Sequence, residues 1–249
     1  ADSEEALKNA GSSRVDMKTV HSELPFAIYA TGSIDYARDR GELAIKSKSM
    51  DLPGSEMRAS FIERTMYTGW TLLGKVRWLK ESDSHPAATE RFMPGPGGPN
   101  PDQLLGILIK ASKNIETLGN DEIRGVATKH YRAHIDRTEL GQDASYPPGE
   151  LVIDAWIDED GLARRLRLPD SDTSTTTIDL YDFGVEVDVE APRADEIITD
   201  EEFTKLAEEE CAHVPNEKRR DSFVCLLGAG ISGSSEVQVE TVPQEETER

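Results

Sequence analysis

Two histidines, His130 and His134, are the first candidates for chemistry, because imidazole is a common metal ligand. They lie in a stretch where Tyr131, Ala133 and Ile135 alternate with charged residues, which predicts a strand with both histidines on its charged face. On a strand that rises about 3.3 Å per residue, positions four apart are separated by about 13 Å. A single ion cannot bind both imidazoles at that distance, so we predict no metal site here.

Asp158 and Asp160 resemble a calcium-binding or acid/base pair. They belong to the run Asp158-Glu159-Asp160-Gly161 between two alternating segments, which is typical of a hairpin turn. The chain contains no Gly-x-Ser-x-Gly elbow and no HExxH. The Pro- and Gly-rich loop at 94–99 lacks the Lys-Ser/Thr pair of a phosphate-binding loop. We therefore predict no catalytic residues, no cofactor and no enzyme.

The two cysteines, Cys211 and Cys225, are 14 residues apart and have no metal-ligand spacing around them. We predict a disulfide between them; two buried free thiols are the alternative. A capping box at Thr199-Asp200-Glu201-Glu202 predicts a helix that reaches Cys211, and a second helix is expected over 216–227. The disulfide would tie these two helices together.

The charge balance excludes one class of partner. Lys and Arg total 28 against 48 Asp and Glu, a net charge of -20, so a nucleic-acid backbone would be repelled. No run of 18 apolar residues occurs, so no segment is expected to span a bilayer. The chain begins at Ala1 without a signal-like segment, and we expect a targeting segment to have been removed.

Most of the chain has the two-residue period of β-strands. Short alternating runs separated by turn residues predict roughly ten antiparallel strands, on both sides of residues 100–114. The first clear hairpin has its turn at Arg38-Asp39-Arg40-Gly41, where we expect Gly41 to take a positive φ.

The stretch Asn100–Asn114 has the strongest helix pattern in the chain. Asn100 can cap the helix, Pro101 fits its first turn, and Gln103 completes a capping box. Apolar residues, including Ile115 just beyond, cover an arc of roughly 200°, so the helix must be covered on more than one side. Gly106 costs about 1 kcal/mol relative to Ala unless another group approaches it closely.

The predicted sheet is too wide for the predicted helices to cover. A sheet of this width would curl around the central helix and leave a hollow on its concave side, where an apolar ligand fits. The expected lining residues are apolar side chains of the helix, the strands and the loop before the helix: Leu104, Leu105, Leu108, Ile109, Met66, Trp70, Trp78, Phe92 and Trp156. The alternative, that these residues only pack on one another, stays open.

Four runs carry a family resemblance: NPDQLLGILIKASKN, GNDEIRGVATKHYRAHID, LVIDAWIDEDGLARRLRL and TIDLYDFGVEVDVEAP. In this order and spacing they resemble the actinobacterial LppX/LprG-type cell-envelope lipoproteins, which share the LolA/LolB half-barrel fold. The resemblance implies an α+β, mainly antiparallel half-barrel of about eleven strands around a central helix. It also implies a cavity for acylated lipids or glycolipids, no catalytic residues, and export with a lipid-modified cysteine just before Ala1. The expected location is the outer face of the cytoplasmic membrane, lipid-anchored, or the secreted fraction.

We expect the half-barrel over residues 1–198, a helical extension over 199–230 and a disordered acidic tail over 231–249. The extension departs from the family pattern and could cap the cavity or recruit an envelope protein. The predicted function is that of a monomeric carrier or chaperone of an acyl-chain lipid or glycolipid. The alternative is an envelope sensor of the same fold that regulates an anti-sigma factor or another partner.

Overall fold

The computed structural model describes residues 3–22, 27–47, 57–62, 65–80, 105–106, 109, 112–136, 149–171, 173–216, 219 and 225. Two helices have defined bounds, α1 (Ser3–Ala10) and α3 (Asp200–Ala212), and a further helical segment, α2, contains Leu105, Gly106 and Ile109. The strands are β1 (Ser12–His21), β2 (Ala27–Asp35), β3 (Arg40–Ser47), β4 (Met57–Ile62), β5 (Thr65–Leu72), β6 (Lys75–Lys80), β7 (Ser112–Ile123), β8 (Val126–Asp136), β9 (Glu150–Ile157), β10 (Ala163–Ser171), β11 (Ser174–Tyr181) and β12 (Ile197–Ile198).

The described strands form one 12-stranded open sheet in the order β12-β6-β5-β4-β3-β2-β1-β11-β10-β9-β8-β7. The central strand β1 pairs with β2 on one side and with β11 on the other, so it joins two meanders. All of these pairs are antiparallel except β12 with β6. The predicted half-barrel of mainly antiparallel strands is confirmed.

Side chains alternate between two faces of the sheet, and the face that carries the buried core is called the inner face here. Val15, Leu43 and Leu166 point to this inner face and are almost completely buried. The opposite, outer face carries charged side chains such as Asp16 and Arg165. Each of the three helices contributes a buried side chain to the same core: Leu7 from α1, Leu105 from α2 and Phe203 from α3. The sheet thus curls around the helices.

The predicted extent of the central helix is wrong at its C-terminal end. Ser112, Asn114 and Ile115 belong to β7, where their backbones pair with β8. The apolar repeat that placed Ile115 on a helix face therefore crosses the boundary between α2 and a strand. The Glu4 carboxylate of α1 lies so close to Gly106 of α2 that a Cβ at this position would collide with it.

The expected positive φ at Gly41 is also wrong. Asp39 takes that conformation in the β2–β3 turn, with φ 48°, whereas Gly41 is paired within β3. The glycine has a packing role instead, because a Cβ there would lie 2.5 Å from the ring of Phe61. A close approach of a neighbouring side chain is a second reason for glycine inside a strand.

The predicted turn between β9 and β10 is confirmed. The Asp158 carboxylate accepts hydrogen bonds from the backbone N–H groups of Asp160 (3.0 Å) and Leu162 (2.9 Å). Gly161 takes a φ of 82°, which glycine adopts without strain. The Asp158 carboxylate therefore stabilises the turn that contains both aspartates.

Helix α3 begins as the sequence predicts. Thr199 caps it, and Glu202 completes the capping box by accepting from the Thr199 backbone N–H. Phe203 packs against Trp70 of β5, with ring centroids 5.7 Å apart.

The structure contains the Cys211–Cys225 disulfide, which links the end of α3 to residue 225 over a Cα–Cα distance of 5.0 Å. Within the described part of the chain, no helix has the length and apolar character needed to cross a membrane.

Candidate functional site

The helices cover the inner face of the sheet unevenly. Helix α3 packs against β5 and β6, and α1 packs against β1. Beside β7, β8 and β9, the described helical residues that border the space are Ser3 of α1 and Leu105 and Ile109 of α2. This part of the inner face borders a cavity of about 800 Å³.

The wall of this cavity is mainly apolar. Apart from Thr128, the wall residues of β8 and β9 recur at every second position, as inner-face residues do. The apolar wall consists of Leu105, Ile109, Ile115, Ala127, Tyr131, Ala133, Ile153, Ala155, Ile157 and Leu166. Such a surface offers almost no hydrogen bonds, so it suits hydrocarbon rather than a polar ligand.

The cavity is open along the edge strand β7. Ile109 of α2 and Ile115 of β7 both line it, yet they are 43% and 53% exposed. Because β7 is the last strand of the sheet, nothing in the described structure pairs with its outer edge. An extended ligand could therefore enter from this side.

The cavity has a polar end beside the turns that join β7 to β8 and β9 to β10. Asn120, Lys129, Asp158 and Glu159 line it there. Asp158 is already engaged, because Arg164 donates to its carboxylate at 2.6 Å in addition to the two backbone donors of the turn. Ser3, Ser112 and Thr128 also line the cavity, and Ser112 lies opposite Ile135 towards the other end of β8, so only the charged lining residues are confined to this end.

The residues predicted to line the hollow separate into several groups. Leu105 and Ile109 do line it. Met66 and Trp70 are inner-face residues on β5, outside the cavity wall, and Trp70 lies under Phe203 of α3. Leu104, Leu108 and Phe92 lie outside the described residues.

Trp78 and Trp156 are on the outer face. Trp78 covers Gly69, where a Cβ would lie 2.8 Å from the indole ring. Trp156 stacks on His130 with ring centroids 4.1 Å apart and donates to Asp121 at 3.0 Å. Neither indole lines the cavity.

The two histidines lie on the charged outer face, as predicted. Asp154 accepts two hydrogen bonds from Arg132, at 2.9 and 3.1 Å, and its Oδ1 lies 3.1 Å from Nε2 of His130. His134 instead lies between Glu116 and Glu150. Both histidines thus belong to a row of charged groups on the outer face.

Hydrogen bonding on the outer face shifts two carboxyl groups. Burial acts to raise the pKa of Asp154, but the hydrogen bonds from Arg132 and His130 outweigh it, so the pKa lies below its ordinary value. The pKa of Asp121 is also lowered, first by the backbone N–H of Glu122 and then by the indole of Trp156. Both groups thus stay ionised at neutral pH and belong to the outer-face network.

Most of the side chains that line the cavity are absent from the predicted set, which favoured bulky aromatic residues. Tyr131, Ala133, Ile153 and Ala155 line the cavity, and all four stand in the alternating runs of β8 and β9. Their alternation was the available signal, because it assigns them to one face and Trp156 to the other. Ile115 carried no such signal, since β7 was not predicted as a strand.

No protein-family model matches the chain, and no curated protein sequence does either. The solved structures that are similar to it include two mycobacterial proteins. LprF from Mycobacterium bovis has a TM-score of 0.51 and 21% identity, covering 78% of this chain and 94% of LprF. The Mycobacterium tuberculosis lipoprotein LppX has a TM-score of 0.52 and 16% identity, covering 76% of this chain and 94% of LppX. The chain therefore has the half-barrel fold of these two mycobacterial proteins.

Proposed function

We propose that the protein binds an acyl-chain lipid or glycolipid in the cavity beside β7, β8 and β9, and carries or chaperones it in the cell envelope without catalysis. The observation that carries this proposal is the hollow of about 800 Å³. Protein interiors are close-packed and leave few voids larger than a water molecule. Ligand sites commonly occupy about 300–1,000 Å³, so the hollow has the size of a binding site.

The chemistry of the wall favours hydrocarbon. Ile153, Ala155 and Leu166 present no hydrogen-bonding side-chain atoms to the cavity. A polar ligand would lose its hydrogen bonds to water there, whereas each buried CH₂ group contributes about 0.8 kcal/mol. The resemblance to LppX/LprG-type lipoproteins implies the same class of ligand and an envelope location.

Filling the cavity tests the proposal. Ala155 is a small inner-face residue of β9 that lines the hollow, so Ala155→Trp places an indole where the ligand would lie. The matched control is Val152→Trp, because Val152 points to the outer face of the same strand. We expect Ala155→Trp to bind a fluorescent fatty acid at least tenfold more weakly than the wild type, with little change in melting temperature. Val152→Trp should bind it like the wild type.

The opposite result has a defined form. If the site were a close-packed core, the added indole would overpack it and cost about 1–3 kcal/mol of stability. Loss of stability in Ala155→Trp, combined with no fatty-acid binding by the wild type, would contradict the proposal.

A further inference from the structure

We infer that the head of the bound lipid carries an anionic group, a carboxylate or a phosphate, and that Lys129 and Asn120 hold it at the polar end of the cavity. This inference rests on the proposed lipid-binding function and adds the class of head group and its position. Two observations carry it: the placement of these two donors, and the confinement of the charged lining residues to one end of the cavity.

Lys129 and Asn120 stand opposite each other on the inner faces of β8 and β7. Directly opposed residues have their Cβ atoms about 4.5–5.5 Å apart, so the two side chains can reach the same ligand group. Both line the cavity, and neither side chain has a hydrogen bond or an ion pair to another described residue. The ammonium and the amide N–H groups are therefore available as donors to an oxyanion.

The acidic groups at this end do not neutralise Lys129 within the described structure. Asp158 is satisfied by Arg164 and by the turn backbone. Glu159 is exposed at the tip of the turn and forms no ion pair with Lys129. Lys129 is the cationic residue among the described residues of the wall, and Glu159 should oppose an anion bound beside it.

The other end of the cavity suits the tail of the same molecule. Lys129 and Ala133 share the inner face of β8 and lie about 13 Å apart along the strand. Ala133 is opposite Ile115, and both line the apolar wall near the open edge. A ligand that spans this distance meets charged side chains at one end and mainly apolar side chains at the other, which matches an amphiphile with a single charged head.

The contribution of the head group to binding can be measured with three probes that share one hydrocarbon tail: dodecanoic acid, dodecyl phosphate and dodecanol. We expect the wild-type protein to bind at least one of the anions about fivefold more tightly than the alcohol, the size expected for one partly solvated ion pair. Lys129→Ala should bind all three alike, and Lys129→Arg should keep the preference. Glu159→Gln should increase the preference, and added salt should reduce it.

The two anionic probes show whether the anionic head is the carboxylate of a fatty acid or the phosphate of a phospholipid. A preference for dodecanoic acid points to a fatty acid, and a preference for dodecyl phosphate points to a phospholipid. Equal binding of the alcohol and both anions by the wild type would overturn the inference, and so would a preference that survives in Lys129→Ala. Failure of all three probes to bind would instead overturn the proposed lipid-binding function.

Discussion

Replacing Phe203 with Ala tests whether α3 and the sheet unfold as one unit. Phe203 is only 1% exposed and packs against Trp70 of β5, and both belong to the core that also contains side chains of β1 and β10. Truncating a buried Phe to Ala costs about 3–5 kcal/mol, because it removes apolar contacts and leaves a cavity. Against a total stability of about 5–15 kcal/mol, that loss is large.

We expect Phe203→Ala to lower the free energy of unfolding by about 3 kcal/mol or more, measured by urea denaturation followed by both circular dichroism and tryptophan fluorescence. The matched control is Glu208→Ala, because Glu208 is exposed on the same helix and should change stability by no more than about 0.5 kcal/mol. A Phe203→Ala midpoint equal to that of the wild type would refute the shared core.

Three further predictions concern the outer face, the disulfide and the cavity edge. Because the folded-state pKa of Asp154 is depressed, its contribution to stability is present above about pH 4 and is lost as the pH falls further. Asp154→Asn should therefore lower the free energy of unfolding at pH 7, and below about pH 4 this free energy should change less with pH than in the wild type. The same pH dependence as the wild type in urea denaturation would contradict this. Replacing Cys211 and Cys225 together with Ser should cost up to about 3 kcal/mol, and thiol titration of the unfolded, unreduced wild type should find no free thiol; two thiols would rule the bond out. Ile115→Glu should weaken fatty-acid binding at least tenfold without lowering the melting temperature, because Ile115 lines the cavity yet is 53% exposed; unchanged affinity would remove β7 from the site.

Features set by neighbouring residues in the chain were predictable from the sequence. The capping box of Thr199 and Glu202 depends only on residues three apart, and it starts α3 as predicted. The turn at Asp158 likewise depends on local hydrogen bonds and on Gly161. The alternation of β8 and β9 also assigned their residues to the correct faces.

Strand β7 could not be predicted in this way. It is a polar edge strand whose residues 113–122 are all exposed, so burial imposes no alternating pattern on it. Its register also shifts between Ser112 and Asn114 and again between Thr117 and Gly119, which breaks the two-residue period. Its strand conformation comes from pairing with β8 across the turn at Arg124-Gly125, and this pairing leaves no alternation in the residues of β7 itself.

Large aromatic side chains were a poor guide to the cavity because both faces of this sheet bury them. Trp78 and Trp156 are each 8% exposed, yet they pack on the outer face over Gly69 and His130. The cavity is hollow partly because small residues such as Ala133 and Ala155 line it. A hollow depends on missing volume, which a search for bulky residues overlooks.

The most direct test of lipid binding in the cavity is the dissociation constant of saturated fatty acids of increasing chain length, measured by native mass spectrometry as one-to-one complexes. Each added CH₂ group that enters the apolar wall should lower the constant about fourfold, from about 0.8 kcal/mol per group, until the cavity of about 800 Å³ is filled. Ala155→Trp should bring that plateau to a shorter chain. Affinities that do not depend on chain length, or the absence of any complex, would contradict the account.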